Sequence, residues 1–323
     1  MDYTKIIKEV GRGKNHARDL DAATAAGLYR GMLAGEVPPL EMGAILIALR
    51  IKGEGEEEML GFYQATQEQV QRLQPPANLP MPIVIPSYNG ARKQANLTPL
   101  LALLLSALGF PVVVHGISED ATRITSEAVF AALGVKAAAD MAEAQQRLEA
   151  GKLVFVAIDT LCAPLARQLA LRWQLGVRNS AHTLAKLLTP FGEDAALRLS
   201  SVSHPEYIPR VGKFFRAVGG RALLLNGTEG EVYANPQRCP ALNLIAGDEP
   251  EALLARQEES NIGRDELPAA KDPETTAEWI KRCLNREVPV PQSLRQQIAC
   301  CYVATGRASD VESALEQIAK AGY

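Results

Sequence analysis

The stretch Pro86-Ser87-Tyr88-Asn89-Gly90-Ala91-Arg92-Lys93-Gln94-Ala95-Asn96-Leu97-Thr98-Pro99 lies between a short apolar run, Met81 to Ile85, and a strongly apolar helical run, Leu100 to Leu108. A strand, a loop and a helix N-terminus in that order form the setting in which backbone N–H groups and the helix dipole hold a phosphate. Such loops are rich in glycine because their amides must approach the anion closely, often at positive φ. This loop has one glycine, Gly90, and fills its other positions with Ser87, Tyr88, Asn89, Arg92 and Lys93. Pro86 has no N–H to give. Tyr88 and Asn89 carry side chains where a phosphate loop has none. Downstream, Asn96 precedes Thr98, which suits a helix cap, and Pro99, which suits the first helical turn although it removes one donor. The chemistry left to such a loop is attraction of anions through Arg92 and Lys93.

A second set of residues suits a polyanion. Arg172, Arg178, His182 and Lys186 run along a segment that reads as helical from Leu165 to Leu188. Arg172 and Lys186 are close to four helical turns apart and are expected to share a face, and Arg178 and His182 form an i, i+4 pair. Arg210, Lys213 and Arg216 recur at spacings of three, along one helical stripe. Stripes of this kind match a phosphodiester backbone, where Arg and Lys release counterions. Tyr88, Trp173, Phe214 and Phe215 are candidates to stack on unpaired bases. The competing readings are a solvated helix face for the 210–216 stripe and core positions for Trp173 and Phe215. His115, His182 and His204 lack ligand spacing, so no metal site is expected. The weakly basic run Lys5, Lys8, Arg12, Lys14, His16 and Arg18 reads as a solvated helix or as an extension of the same surface.

The formal net charge of −3 conceals an uneven distribution. From Ala163 to Arg221 nine bases face three acids, and from Asn226 to Glu278 twelve acids face four bases, Arg238, Arg256, Arg264 and Lys271. Local field rather than net charge steers a polyanion, so a near-neutral chain can carry a basic face. Five cysteines, two of them adjacent (Cys300 and Cys301), show neither metal nor redox spacing and read as buried packing residues in a reducing compartment. No apolar run reaches membrane-spanning length, and Met1-Asp2-Tyr3-Thr4-Lys5 lacks a signal-peptide core. A cytoplasmic protein is expected.

These residues need elements to position them. Residues 1–74 read as all helical. Asp21 caps a helix that Gly35 closes, Pro38-Pro39 starts another that ends at Gly53, and Glu56, Glu57 and Glu58 open a third. In the second of these, Leu40, Ala44, Ile47 and Ile51 are spaced for one buried face. The proline-rich Gln74 to Pro80 reads as a linker. Beyond it, β-branched runs (Pro82 to Ile85, Pro111 to Val114, Leu153 to Ile158, Ala222 to Leu225) alternate with helices, which argues for a parallel sheet covered by helices. Asn261 to Pro273 reads as a surface loop, and Ser293–Ala304 and Asp310–Ala319 as two C-terminal helices.

The run Met32-Leu33-Ala34-Gly35-Glu36-Val37, with Met42-Gly43-Ala44 and Ala48-Leu49-Arg50-Ile51-Lys52-Gly53-Glu54, resembles the N-terminal signature of anthranilate phosphoribosyltransferases and pyrimidine nucleoside phosphorylases. His115-Gly116, Leu133-Gly134-Val135 and Leu175-Gly176-Val177-Arg178 follow in that family's order. The resemblance covers nearly the whole chain. It implies an α/β fold with a small helical domain, residues 1–74 completed by inserted helices at about 163–200. A larger α/β domain, 81–162 and 201–323, then carries a central, mainly parallel sheet flanked by helices. It also implies a homodimer formed through the helical domains.

The departures from the family pattern bear on function. The family's Gly-Thr-Gly-Gly-Asp loop is matched by Pro86 to Gly90, and its Asn-x-Ser-Thr turn by Asn96-Leu97-Thr98-Pro99. Its Lys-His-Gly-Asn-Arg becomes Val114-His115-Gly116-Ile117-Ser118, so that cation is missing, and the following serines become Ala121 and Thr122. The Asp-Glu pair that holds Mg²⁺ in the family falls near Glu229 and Glu231, which are not adjacent and would share one face if extended. The acceptor-site Asn is replaced by His182, and Arg172 or Arg178 also reads as a remnant of that site. Without a positioned pyrophosphate and metal, an oxocarbenium-like transfer lacks its main electrostatic stabilisation. The expectation is therefore a homodimeric nucleic-acid-binding protein, largely sequence-independent, with no catalytic residues, metal or cofactor, and no membrane association. That nucleic-acid role is implied by one branch of the TrpD-like proteins. The alternative is a transferase for an unidentified aromatic or base substrate that uses Arg92 and Lys93 in place of glycines, the only reading that calls for Mg²⁺. A third reading is a regulatory scaffold that binds a protein through the old cleft.

Overall fold

Caps and breakers set the helix boundaries. In the computed structural model, which describes residues 1–13, 15–247 and 249–323, the Asp21 carboxylate accepts from Thr24 N at 2.8 Å, and Gly35 closes the same helix in the left-handed region. Lys14 and Asp248, counted above, lie outside the described residues. In chain order the elements are α1 (Tyr3–Val10), α2 (Ala22–Ala34), α3 (Pro39–Lys52), α4 (Glu56–Gln67), β1 (Ile83–Ser87), α5 (Thr98–Ala107) and β2 (Val112–Gly116). Then come α6 (Ser126–Ala132), α7 (Met141–Glu149), β3 (Val154–Ala157), α8 (Ile158–Ala170), α9 (Arg172–Leu175) and α10 (Ala181–Leu184). The chain continues through β4 (Leu197–Val202), α11 (Ile208–Ala217), β5 (Arg221–Asn226), β6 (Leu242–Ile245), β7 (Glu251–Leu254), α12 (Pro273–Leu284), α13 (Gln292–Ala304) and α14 (Val311–Lys320).

Two compact units result: Met1–Gln71 with Ile158–Pro190, and Arg72–Ala157 with Phe191–Tyr323. The first is a helical bundle built on Ala25, Leu28, Tyr29, Ile45, Leu49 and Phe62, all buried. The Arg-x-Lys-Gly end of α3 holds it together. Lys52 Nζ donates to the buried Glu58 carboxylate at 2.6 Å, and Arg50 Nη1 donates to Arg178 O at 3.0 Å. The face expected to be buried on α3 is not. Leu40, Ile47 and Ile51 are 83%, 36% and 62% exposed, and Ala44 is exposed with them, because the bundle covers Ile45, Leu46 and Leu49 instead.

The second unit is a seven-stranded sheet in the order β3-β2-β1-β4-β5-β6-β7. Its first five strands run parallel, and β6 and β7 are added antiparallel at one edge. Helices flank it, so β1 and β2 are buried along their whole length, as a doubly covered parallel sheet requires. The chain order reverses at β1, whose neighbours are β2 and β4, and a ligand crevice is expected at the carboxyl ends of the strands there. Residues 191–200 belong to this unit, not to the helical insert. The strand β4 escapes a hydrophobicity reading because Arg198 sits inside it. Arg198 is 1% exposed, bound to Glu193 at 2.6 Å and stacked 4.7 Å from the Phe215 ring centre. All five cysteines are buried, and burial pushes the thiol of Cys301 well up.

Candidate functional site

The loop after β1 closes around a carboxylate of its own chain. Beyond β5 the chain makes a two-residue turn, in which Thr228 N donates to Glu231 O at 3.0 Å and Glu231 N to Thr228 O at 2.9 Å. The two central residues have φ of +53° (Glu229) and +89° (Gly230), the geometry of a type I′ turn. Gly230 cannot be replaced without strain: a Cβ there would lie 1.8 Å from Asn89 Nδ2. A left-handed glutamate beside it is an uncommon conformation that the surroundings must hold in place.

What holds it is the loop itself. The buried Glu231 carboxylate accepts at Oε1 from Asn89 N (2.8 Å) and Gly90 N (2.7 Å), and at Oε2 from Ser87 Oγ (2.7 Å) and Thr98 Oγ1 (3.1 Å). Glu229 accepts from Arg92 N at 2.6 Å and Lys93 N at 2.9 Å. Its carbonyl takes Asn89 Nδ2 at 3.0 Å. Ser126 Oγ lies 2.6 Å from Ser87 Oγ and accepts from Asn96 Nδ2 at 3.0 Å. The amides and hydroxyls that a strand–loop–helix junction offers to a phosphate are therefore bound to two glutamates. The two acids sit on a tight turn, not an extended strand, yet both reach the same loop. Thr98 is not the helix cap: Leu97 is, Asn96 Oδ1 accepts from Thr98 N at 3.1 Å, and the Thr98 hydroxyl serves Glu231.

The Mg²⁺ that the family resemblance implies does not fit this arrangement. Both carboxylates face N–H and O–H donors, the surroundings of a bound anion, and neither directs an oxygen to a shared octahedral ion. Among the described residues, no three His, Cys, Asp or Glu converge.

The predicted basic residues divide between the two units. Arg92 and Lys93 project outward from the loop, exposed, while their amides are held by Glu229. Arg210, Lys213 and Arg216 all lie on α11, with the first two exposed and Arg216 half-buried above the buried Phe215. Arg172, Arg178, His182 and Lys186 are half-buried in the helical unit, but no single helix carries them. Gly176 ends α9 at φ +73°, Arg178 lies in the following turn, and α10 starts afresh at Ala181, so the helical-face argument for Arg172 and Lys186 fails. His182 is not a cation near neutral pH. Desolvation first, then the charge of Arg178, pushes its pKa down to about 4.

The aromatic candidates also separate. Tyr88 is buried, with its hydroxyl 2.6 Å from His115 Nδ1, and Phe215 is core. Trp173 is 55% exposed, not core, with the Arg172 guanidinium 4.4 Å above its ring. The central role of Glu231 went unread in the sequence. Its one signal was the Glu-Gly-Glu spacing, which resembles a degraded metal pair when no loop is set opposite it.

Comparison with known proteins accounts for the scaffold. Residues 4–70 match the helical bundle domain, and residues 89–321 the a/b domain, of a glycosyl transferase family. The chain belongs to this glycosyl transferase family. Within it, the chain is 63% identical over 321 residues to the uncharacterized protein YbiB of Escherichia coli (strain K12), covering 99% of this chain and 100% of that one. It is 28% identical over 296 residues to the anthranilate phosphoribosyltransferase of Methylocella silvestris, covering 90% and 84% of the two chains. It is thus a TrpD-like family member of the YbiB branch. The crystal structure of anthranilate phosphoribosyltransferase (TrpD) from Thermus thermophilus superposes with a TM-score of 0.78 at 23% identity, over 99% of this chain and 94% of that one. The Saccharomyces cerevisiae enzyme in complex with PRPP and Mg gives 0.74 at 15% identity, over 99% and 93% of the two chains. These structures share the fold of this family member. Among its described residues, no helix is long and apolar enough to cross a membrane.

Proposed function

We propose that this chain is a homodimeric nucleic-acid-binding protein on a phosphoribosyltransferase fold, largely indifferent to base sequence and without phosphoribosyl transfer. The observation that carries the second half is the occupation of the phosphate loop by Glu231 and Glu229. A pyrophosphate entering the loop must displace two carboxylates and lie beside their charge. Like charges at such separations repel by about 1 to 4 kcal/mol between water and surface dielectrics.

Support for nucleic acid comes from what the loop turns outward. With its amides satisfied internally, the loop presents the side chains of Arg92 and Lys93 to solvent, and α11 presents Arg210 and Lys213. Arg172 and Trp173 add a stacked cation and aromatic pair on the helical unit, suited to an unpaired base. The exposed stripe of Leu40, Ala44, Ile47 and Ile51 suits a second copy of the helical unit, which would double every basic element. A transferase acting on an aromatic or base substrate is the second reading, favoured by the 28% identity to an anthranilate phosphoribosyltransferase.

Fluorescence anisotropy of a labelled oligonucleotide over a salt series, with phosphoribosyl pyrophosphate as competitor, separates the two. The proposal expects binding whose logarithm falls steeply with log salt, undisturbed by the competitor. Binding of phosphoribosyl pyrophosphate with Mg²⁺ dependence, and no affinity for oligonucleotide at low salt, would establish the transferase reading instead.

A further inference from the structure

The helix α12 buries Thr276, Ala277, Ile280 and Cys283 in the α/β unit and lines a separate cavity with Glu274, Glu278 and Arg282, which recur at spacings of four, and with Trp279. The cavity measures about 710 Å³, and the segment 262–269 with Val288 and Pro289 supplies most of the remaining lining. Trp279 Nε1 donates to Glu266 O at 2.8 Å, which fastens that segment to the helix. Ile262 and Trp279 are buried and Leu267 and Val288 half-buried, whereas Asp265, Glu266, Glu274 and Glu278 are exposed, so the cavity has an apolar floor and an acidic rim. Glu266 is engaged, accepting from Gly263 N at 2.7 Å. Arg282, the one base of the lining, lies 3.8 Å from Glu287. Asp265, Glu274 and Glu278 have no partner of opposite charge among the described residues. Nor do the acids converge: among the described residues, no three His, Cys, Asp or Glu are placed to hold a metal ion.

We propose that this cavity binds a linear aliphatic polyamine, a ligand whose capture is independent of the nucleic-acid reading above. Charge complementarity selects a cation, because three rim carboxylates lack a counter-charge within the chain. Their dispersal selects an extended cation with several charges over a single ion. Glu274 and Glu278 stand one helical turn apart, about 5–6 Å between Cβ atoms, close to the separation of amine nitrogens joined by three or four methylenes. The apolar floor of Ile262, Leu267 and Val288 suits those methylenes, which leave water as the amines reach the rim. The volume falls within the roughly 300–1,000 Å³ of pockets that enclose small molecules, which favours a free polyamine over a basic segment of another protein.

The test is calorimetric titration of the full chain with spermidine at physiological ionic strength, with Trp279 fluorescence in a Trp173→Phe background to locate the ligand. The expected result is a saturable one-to-one isotherm, a Trp279 response with the same midpoint, and weaker binding of the singly charged propylamine. Losing two exposed carboxylate–ammonium contacts weakens binding by about tenfold, so Glu274→Gln/Glu278→Gln is expected to raise the Kd by that factor. Glu312→Gln/Glu316→Gln removes two exposed acids at the same spacing on α14, outside this cavity, and is expected to keep the parental Kd. All four positions are exposed, and unchanged circular dichroism confirms the fold of each variant. No saturable binding by the parent, or binding that leaves Trp279 fluorescence unmoved, overturns the proposal. So does an equal Kd in the parent and the Glu274/Glu278 variant, or an equal loss in the α14 control. Mg²⁺ reproducing the spermidine response reduces it to counterion screening, and tighter binding of tetralysine than of spermidine assigns the cavity to a basic polypeptide; either result overturns the polyamine. Failure of this test leaves the nucleic-acid reading standing.

Discussion

Removing the Glu231 side chain opens the loop, and the structure sets the size of the effect. The carboxylate is 1% exposed and takes four donors. Ser87 has a second partner in Ser126 Oγ at 2.6 Å, so its hydroxyl re-pairs when the acid is gone. The amides of Asn89 and Gly90 both donate to Oε1 and lose that acceptor with the side chain. Loss of an acceptor from a buried amide costs about 1–3 kcal/mol, so Glu231→Ala is expected to lose about 2–6 kcal/mol, the lower figure applying if water or a neighbouring group takes its place. Glu231→Gln keeps the shape and one oxygen. With that oxygen on the amides, the two hydroxyls turn to accept from the new NH₂, and the loss is about 1 kcal/mol. The chain has two tryptophans. Trp279 is buried in the α/β unit, with Nε1 2.8 Å from Glu266 O, so in a Trp173→Phe background its fluorescence in urea reports this unit alone. A second signal comes from the vacated amides. Pyrophosphate at about ten times its dissociation constant adds about 1.4 kcal/mol to the alanine variant and nothing to the parent. An alanine variant within about 1 kcal/mol of the parent, or pyrophosphate stabilising both alike, would refute the internal-ligand account.

Three further outcomes follow from the same structure. His182 is held at a pKa of about 4 against 6.5 in the unfolded chain, so the unfolded state binds the extra proton. Stability from this group is complete above pH 6.5 and is lost as pH falls through 4; histidine NMR resonances should show one ring still neutral at pH 5, and His182→Asn should remove that part of the acid sensitivity. Ile47→Asp with Ile51→Asp places charges on the exposed stripe of α3. Burial of such side chains contributes about 1.5–3 kcal/mol each, so sedimentation should show a folded monomer in place of a dimer, and an unchanged dimer refutes the assignment of this face. The five buried cysteines should react with a thiol reagent only as fast as the chain opens, and all five should react at once in denaturant.

Much of the scaffold is legible from local signals. Asp21, Gly35, Pro39 and Gly53 bound their helices where capping rules place them, and the β-branched runs became β1, β2, β3 and β5. Legibility fails where long-range partners set the outcome. The strand β4 carries a buried arginine that only Glu193 and the Phe215 ring make tolerable. The apolar stripe of α3 has helical spacing, but spacing does not reveal whether the chain's own bundle or another molecule covers it. The segment after Leu165 has helical composition throughout, and a single left-handed glycine, Gly176, breaks the face that the charge spacing suggested. The four bases of the acidic stretch are scattered over thirty-odd positions and line one cavity only because β6, β7 and the loop that follows fold back on the turn after β5.

The altered loop shows how one substitution pattern serves two ends. A glycine-rich loop turns its amides inward on a mobile anion and leaves little on its outer surface. Here the anion is covalently attached: Glu231 and Glu229 are fixed one residue apart on a tight turn, so their effective concentration at the loop is far above that of any free phosphate. Once the amides are satisfied from within, the loop no longer needs glycine, and its positions are free to carry Arg92 and Lys93. The same hydrogen bonds hold the backbone beneath two outward-facing cations, and Lys271 Nζ donates to Arg92 O. Under the proposed function, loss of transfer chemistry and gain of a polyanion surface would be one structural event, and Glu231→Ala is then expected both to admit pyrophosphate and to weaken the hold on a nucleic-acid strand, while Glu231→Gln does neither.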